Sequence, residues 1–240
     1  AIFYKSLGTL GGGNHFIEYG EDEQTHEGWL TIHCGSRNVG VKVANHWHNI
    51  AQNPKRAQFV GYLWGDALNG YLSDMVIAQA YALYNHHIIR DRIFAILKKL
   101  CKAKCLESIF TTHNYISVCG EYPMLRKGAV EAAERERFCL PFNMRDGIAV
   151  CVGKGNPEWN CSAPHGAGRA MSRNAAKKNI GMAEFEKSMN GIFSTSVCSG
   201  TLDESPQAYK PTEEILRLIE PTAEVITMVR PRLNIKDIPK

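Results

Sequence analysis

The chain has 240 residues, 44% of them hydrophobic and 22% charged, and a formal net charge of +4. That is enough chain for one core-bearing domain, or for most of a larger one, and the balance is that of an ordinary soluble globular protein. No run of about 18 apolar residues occurs, which excludes a membrane-spanning helix, while the mild excess of cations suits an anionic ligand such as a nucleotide or RNA without requiring one.

At the N-terminus, Tyr4, Lys5 and the glycines between Gly8 and Gly13 interrupt any apolar run of the secretory kind, so no signal peptide is expected. The chain opens on Ala1 rather than on methionine, which fits either removal of Met before a small residue or a piece of a longer protein. Residues 14–19 and 29–33, rich in aromatic and β-branched side chains, read as two strands, and the polar stretch 20–28 as the loop between them. A helix is expected over 39–51 after the Gly35-Ser36-Arg37 turn, with a break at Asn53-Pro54. Apolar residues at 72, 75, 76, 80, 83, 88, 94 and 97 give helical spacing over 71–100, with a break near Asn85. Residues 108–118 read as strand and loop, and Arg145-Asp146-Gly147 as a turn before a buried strand over 148–152. The stretch 164–173 is a Gly-rich loop entering a helix, 212–220 a short helix, and 225–229 a strand. There is no regular βαβ rhythm, so the fold class is α+β: mixed sheets with surrounding helices, one domain over residues 1–240.

Eight cysteines are present without zinc-ribbon spacing, and Cys101 and Cys105 stand four apart on an expected helix. Reduced thiols in a cytoplasmic protein are the simplest expectation.

Closing the 20–28 loop symmetrically sets Tyr19 opposite Trp29, Ile17 opposite Thr31 and His15 opposite His33. Directly opposed residues have Cβ atoms roughly 4.5–5.5 Å apart, so two imidazoles there can grip one ion. A cross-strand pair of ordinary half-buried histidines fits the pattern equally well. His113, in Thr112-His113-Asn114-Tyr115, says little alone, and His26, His46, His48, His86 and His87 have weaker claims. His165 stands in Ser162-Ala163-Pro164-His165-Gly166-Ala167-Gly168-Arg169-Ala170-Met171-Ser172-Arg173. Glycines there let the backbone approach a ligand, a helix entrance offers N–H groups to an anion, and Arg169 and Arg173 add charge for phosphate. A histidine in that setting serves as a general base or as a nucleophile toward phosphorus; a surface histidine on a helix-entry turn is the plainer alternative. Neither Gly11-Gly12-Gly13 nor Gly153-Lys154-Gly155 has P-loop spacing, so a bound nucleotide is not held in the Walker manner.

Five motifs occur in one order: Gly8-Thr9-Leu10-Gly11-Gly12-Gly13-Asn14-His15-Phe16-Ile17-Glu18, then His33-Cys34-Gly35-Ser36-Arg37, His113-Asn114, Gly153-Lys154-Gly155-Asn156, and the 162–173 segment. With the tail 202–210 (Leu202 to Lys210) and Asn234-Ile235-Lys236, the sequence resembles the RtcB-type RNA ligases across essentially its whole length. The resemblance implies a GTP- and Mn²⁺-dependent ligase joining a 2′,3′-cyclic phosphate or 3′-phosphate to a 5′-hydroxyl. His165 is then the nucleophile that carries GMP, and His15, His33 and His113 are metal ligands. The guanylate-contacting positions implied are Asn14, His15, Phe16, Ile17, Glu18, His113, Asn114, Pro141, Phe142, Asn143, Met144, Ile148, His165, Gly166, Ala167, Gly168, Tyr209 and Lys236. The partners implied are RNA, such as tRNA halves or other cleaved RNA, and GTP, with an archease-like activator and no membrane.

Departures from the family pattern are equally specific. Its Pro-Gly-Ser-Met segment reads Pro141-Phe142-Asn143-Met144, and Phe142 cannot give glycine's close backbone approach. A serine expected a few residues on is Ile148. The upstream Asp-x-x-Cys type motif, which supplies a carboxylate and a bridging thiolate, has no counterpart, and Cys34 points to the strand face opposite His33. The expectation is therefore a chain without the family's N-terminal part, holding at most one metal, loosely. Strict alternation also sets Glu18 opposite His15, which a bulge near Phe16 would reconcile. The other readings are an inactive fragment that binds RNA or guanine nucleotide, and a metal-dependent phosphatase or nuclease, which lacks paired carboxylates at ligand spacing.

Overall fold

The computed structural model describes residues 2–51, 61–118 and 122–238; the expected break at Asn53-Pro54 lies outside the described residues. The fold is mixed α+β, with two antiparallel sheets among helices. It divides into two compact units, one from the described residues of Ala1–Gly11 and Ile32–Lys104, the other from those of Gly12–Thr31 and Cys105–Lys240.

The first unit is helical: α1 (Ile2–Ser6), α2 (Arg37–Ala51) and α3 (Gly65–Cys101). The expected break in α3 does not occur; the helix runs unbroken for 37 residues, to a left-handed Lys102. An asparagine inside a helix weakens it by competing for local backbone groups, and Asn85 is drawn away from that competition. Its fully buried side chain donates to the Thr9 and Gly35 carbonyls and to Cys34 Sγ, and accepts from the Gly8 and Thr9 amides. The helical spacing was legible but the buried face was not: Ala78, Asn85 and Ile89 are buried, while Val76 lies exposed. Trp47 is half-buried, donating its indole N–H to Asp74 at 2.9 Å.

The second unit holds both sheets. One has the order β2-β1-β8-β6-β5, with β1 Phe16–Asp22, β2 Gly28–His33, β5 Arg137–Pro141, β6 Ile148–Gly153 and β8 Ala223–Ile235. The other has the order β3-β4-β7, with β3 His113–Ser117, β4 Met124–Glu131 and β7 Ser162–Pro164. Strand β6 is a nearly continuous apolar run because both its faces are covered. Ala149 and Cys151 join Phe138, Leu140, Phe142, Ile215 and Ile219 in one core cluster, and Ile148 and Val150 join Val229 in another. Helix α6 (Thr212–Ile219) closes the first cluster, and its Thr212 hydroxyl donates to Asp146 at 2.9 Å.

The first hairpin differs from expectation. β1 continues through Gly20 to Asp22, so the loop is shorter than 20–28, and the Asp22 carboxylate ties it by accepting from the Gln24 and Thr25 amides. β8 is much longer than 225–229 because Pro231 sits at a bulge: the pairing steps from Tyr19↔Leu233 to Gly20↔Pro231, where a missing N–H is tolerated. Helices α4 (Arg173–Asn179) and α5 (Met182–Ser188) complete the unit, α4 starting on a Ser172 side-chain cap.

Candidate functional site

Strand β4 sets two histidines side by side. On one edge it pairs with β7, Val130 opposite Ala163, so that β7 delivers His165 with its amide donating to the Gly128 carbonyl at 3.3 Å. On the other edge it pairs with β3, whose register breaks between His113 and Tyr115. The break leaves Asn114 at φ 61°, tolerable for asparagine, and Gly128 at φ 69°, where glycine is favoured. The Asn114 side chain accepts from the Gly128 amide at 2.8 Å and donates to His113 Nδ1 at 2.7 Å. The His113 and His165 rings then stand 4.9 Å apart between centroids, tilted by 45°. Burial, with the neighbouring His165, Lys127 and His15 adding to it, pushes the His113 pKa down to about 4 against the pull of Asn114, so this ring is neutral. His165 Nδ1 is buried with no hydrogen-bond partner.

His15 lies just before β1, near enough for its charge to act on His113. Being outside the strand, it is not bound by strand alternation, and the irregularity in β1 falls at Tyr19/Gly20 rather than near Phe16. His33 closes β2 and falls in the first unit. Among the described residues no three or more His, Cys, Asp or Glu stand together at metal-holding distances. Because Asn114 donates to His113 Nδ1, the ring proton sits on Nε2, and a metal there would require the amide to reverse. Burial pushes the Cys34 thiol up to about 11. Among the described residues, then, no ready set of three such donors is assembled.

A second polar cluster lies three residues along the chain from His15 and four from His165. Fully extended, those links reach at most about 10 and 14 Å. Glu18, on β1, is buried; its Oε2 accepts from Asn234, its register partner on β8, at 2.7 Å, and its Oε1 has no partner. Burial raises its pKa to about 8, against the opposing pull of Asn234 and Lys236. Lys236 follows β8, fixed by reciprocal hydrogen bonds between its backbone and the Ser196 hydroxyl at 2.8 and 2.9 Å. Its ammonium lies 5.5 Å from the centre of the Phe16 ring and 3.2 Å from Glu204 Oε2. Burial lowers its pKa and Glu204 opposes that. Tyr209 donates to Glu204 Oε2 at 2.7 Å, and Arg173 to Oε1 at 2.6 Å. Arg173 also reaches Asp203, and Arg169 is 3.5 Å from Glu204 and stacks over Tyr209. The two arginines expected to offer free charge to a phosphate are thus already paired with carboxylates.

The remaining positions sort by what they touch. The Pro141 carbonyl accepts from the Ala167 amide at 3.0 Å, which seats the His165–Gly168 loop on the end of β5. Phe142, Met144 and Ile148 are buried in three different core clusters. Asn143 Oδ1 accepts from the Arg145 and Asp146 amides and so forms the expected turn. Asn14 is exposed, Phe16 and Ile17 are half-buried, and the Gly168 carbonyl accepts from the Lys210 amide. Gly153-Lys154-Gly155-Asn156 is a brace: its backbone and side chains bond Ala132, Glu220, Pro221 and Thr222. Sequence reasoning missed Glu204 and Asn234 as interaction partners; only their position inside tail motifs pointed to them.

Glu18 makes a pH prediction. Between its ordinary value of 4.5 and about 8 the folded chain holds a proton that the unfolded chain has released, so Glu18 lowers stability as pH rises through that window and adds no further loss above it. Glu18→Gln carries no such proton. Its melting temperature relative to the unaltered chain is expected to climb steadily from pH 4.5 to 8; a difference that stays flat in thermal melts across that range would refute the assignment.

A family profile described as tRNA-splicing ligase RtcB matches residues 2–237. The RNA-splicing ligase RtcB of Escherichia coli K12 is 30% identical over 89% of this chain and 57% of its own length. The tRNA-splicing ligases RtcB of Nanoarchaeum equitans and Pyrobaculum aerophilum are 27% and 26% identical, over 88% and 94% of this chain and 55% and 58% of theirs. The chain belongs to the RtcB family, and it spans a little over half the length of these curated relatives.

Proposed function

We propose that this chain is the catalytic-histidine part of an RNA ligase that joins a 2′,3′-cyclic phosphate or 3′-phosphate end to a 5′-hydroxyl, at the expense of GTP. The observation that carries the reading is the neighbourhood of His165: an imidazole unbonded at Nδ1, beside a neutral His113, one short loop from a buried polar cluster. A neutral imidazole nitrogen attacks the α-phosphorus of GTP, forming an N–P bond as pyrophosphate leaves with the bonding pair. The RNA 3′-phosphate then takes the GMP from His165. The 5′-hydroxyl attacks that activated end, loses its proton and releases GMP. His113 stays uncharged beside the ring and so does not compete for the incoming phosphate.

The second cluster suits guanine. That base offers acceptors at O6 and N7 and a donor at N2, where adenine has a donor at N6. The Lys236 ammonium supplies donors, and the partnerless Glu18 Oε1 supplies an acceptor once ionised. In this reading Asn14, Phe16, Ile17, Asn114, Gly166, Ala167, Gly168 and Tyr209 complete the contact surface. Pro141, Phe142, Asn143, Met144 and Ile148 contribute through the backbone they hold in place. The physiological substrate is tRNA halves or other cleaved RNA in the cytoplasm, with an archease-like activator as a partner. Among the described residues no helix is long and apolar enough to cross a membrane.

Manganese is the family's expected metal, with His15, His33 and His113 as its ligands. The donor set described above favours a second reading, an inactive fragment that binds RNA or guanine nucleotide. Titration with Mn²⁺, followed by calorimetry or EPR, is expected to show at most one weak site, and two tight sites would overturn that expectation. A phosphatase or nuclease reading finds no paired carboxylates beside the histidines among the described residues. The deciding experiment mixes the purified chain with GTP, Mn²⁺ and two RNA strands, one ending in a 2′,3′-cyclic phosphate and one beginning in a 5′-hydroxyl. A joined product supports the ligase; binding of GTP or RNA without joining supports the fragment; the absence of both joining and binding would refute both readings.

A further inference from the structure

Among the residues to which the resemblance assigns no contact with the nucleotide, one side chain gathers several of those to which it does. Glu204 is 3% exposed, and both its carboxylate oxygens are fully engaged. Oε2 takes the Tyr209 hydroxyl at 2.7 Å and the Lys236 ammonium at 3.2 Å. Oε1 takes Arg173 at 2.6 Å and faces Arg169 at 3.5 Å. Arg169 and Arg173 belong to the segment that begins at His165, whereas Tyr209 and Lys236 come from two later parts of the chain. A single buried carboxylate thus joins the nucleophile's loop to the end of β8. Without it, the buried Lys236 would lose the carboxylate that most strongly supports its charge, which burial already disfavours.

We infer that Glu204 is a positioning residue for guanine selectivity: it touches no substrate, and it holds the Lys236 ammonium charged and aimed, with Tyr209 beside it, toward the base. The inference rests on the guanylate reading above. A carboxylate that merely balanced charge in the fold would, when altered, weaken all nucleotides alike. One that aims Lys236 weakens guanine in particular, because a donor placed at O6 meets an acceptor in guanine and a donor in adenine.

The test is a double-mutant cycle read by direct binding of GTP and ATP to the full chain, by calorimetry, at a temperature where melts show every variant folded. Glu204→Gln keeps the shape and removes the charge. It is expected to raise the Kd for GTP about tenfold, the scale of one hydrogen bond to a charged group, and to reduce the GTP-over-ATP preference by a similar factor. In a Lys236→Met background the same change is expected to shift the Kd by no more than about twofold, because the interaction it removes is already gone. If Glu204→Gln does not fold, Glu204→Asp takes its place. It keeps the charge but draws it back by one methylene, and it is expected to weaken GTP binding only where Lys236 is intact. Equal losses with and without Lys236, or an unchanged GTP-over-ATP preference, would overturn the inference while leaving the guanylate reading in place. Absence of GTP binding by the unaltered chain would overturn both.

Discussion

Incubated with α-labelled GTP and Mn²⁺ and then denatured, the chain is expected to retain label, and His165→Ala to retain none above background, a loss of more than about a thousandfold. The size of the effect follows from the chemistry. A nucleophile that forms a covalent bond has no substitute in a methyl group, and His113, the imidazole beside it, is half-buried, neutral and oriented by Asn114 on a different strand. His165→Ala also leaves the backbone bond to Gly128 in place, so the variant should fold and the loss should be purely chemical. Label that survives in His165→Ala would mean that a different residue is the nucleophile. Absence of label from both proteins, with GTP still bound, would turn the balance toward a binding fragment whose metal donors are incomplete.

Gly147→Ala is expected to be the most damaging single methyl group in the second unit. Gly147 takes φ 75° and closes the turn in which the Phe142 amide donates to its carbonyl and its own amide donates to Asn143. A Cβ there would overlap the Val229 carbonyl of β8 and meet Pro231 Cδ at 2.8 Å. The left-handed conformation alone costs a side chain about 1–3 kcal/mol, and the clash with sheet backbone adds to it, so a loss above about 4 kcal/mol is expected. Gly191 supplies the control: its φ is 84°, but a Cβ would meet nothing within 4 Å. Gly191→Ala should therefore show the strain without the clash, about 1 kcal/mol. Denaturant midpoints that fall equally in the two variants would show that packing against β8 contributes nothing.

How much of this was legible in the sequence depended on whether the deciding interaction was local. The apolar run Ile148–Val152 announces a buried strand, and the Arg145-Asp146-Gly147 turn announces itself by residue type, because both signals lie within a few neighbouring residues. Asn85 reads as a helix break because its partners, Gly8, Thr9, Cys34 and Gly35, lie fifty or more residues away in the chain, and they remove its competition with the helix. The length of β8 was hidden by Arg230-Pro231-Arg232, which reads as a stop until the bulge against Gly20 is seen. β4 was missed altogether, since Arg126-Lys127-Gly128 breaks any alternation. At the site, motif order pointed to His165, Glu18 and Lys236, but their grouping through Asn234 and Glu204 joins strands more than 200 residues apart and leaves no pattern in spacing.

The central place of β8 sets a timetable for synthesis. It lies between β1 and β6, yet it follows every other strand in the chain. While a ribosome is still making the polypeptide, β1 waits with one hydrogen-bonding edge bare until residue 235, the partner of Ile17, has emerged. The nascent chain can close the β3-β4-β7 sheet and the α2–α3 helix pair early, from contacts of shorter range. Glu18 gains Asn234, and Lys236 gains Glu204, only at the last step, so a chain stalled or cut before β8 has its histidines but not this buried cluster, and an unpaired strand edge that invites aggregation.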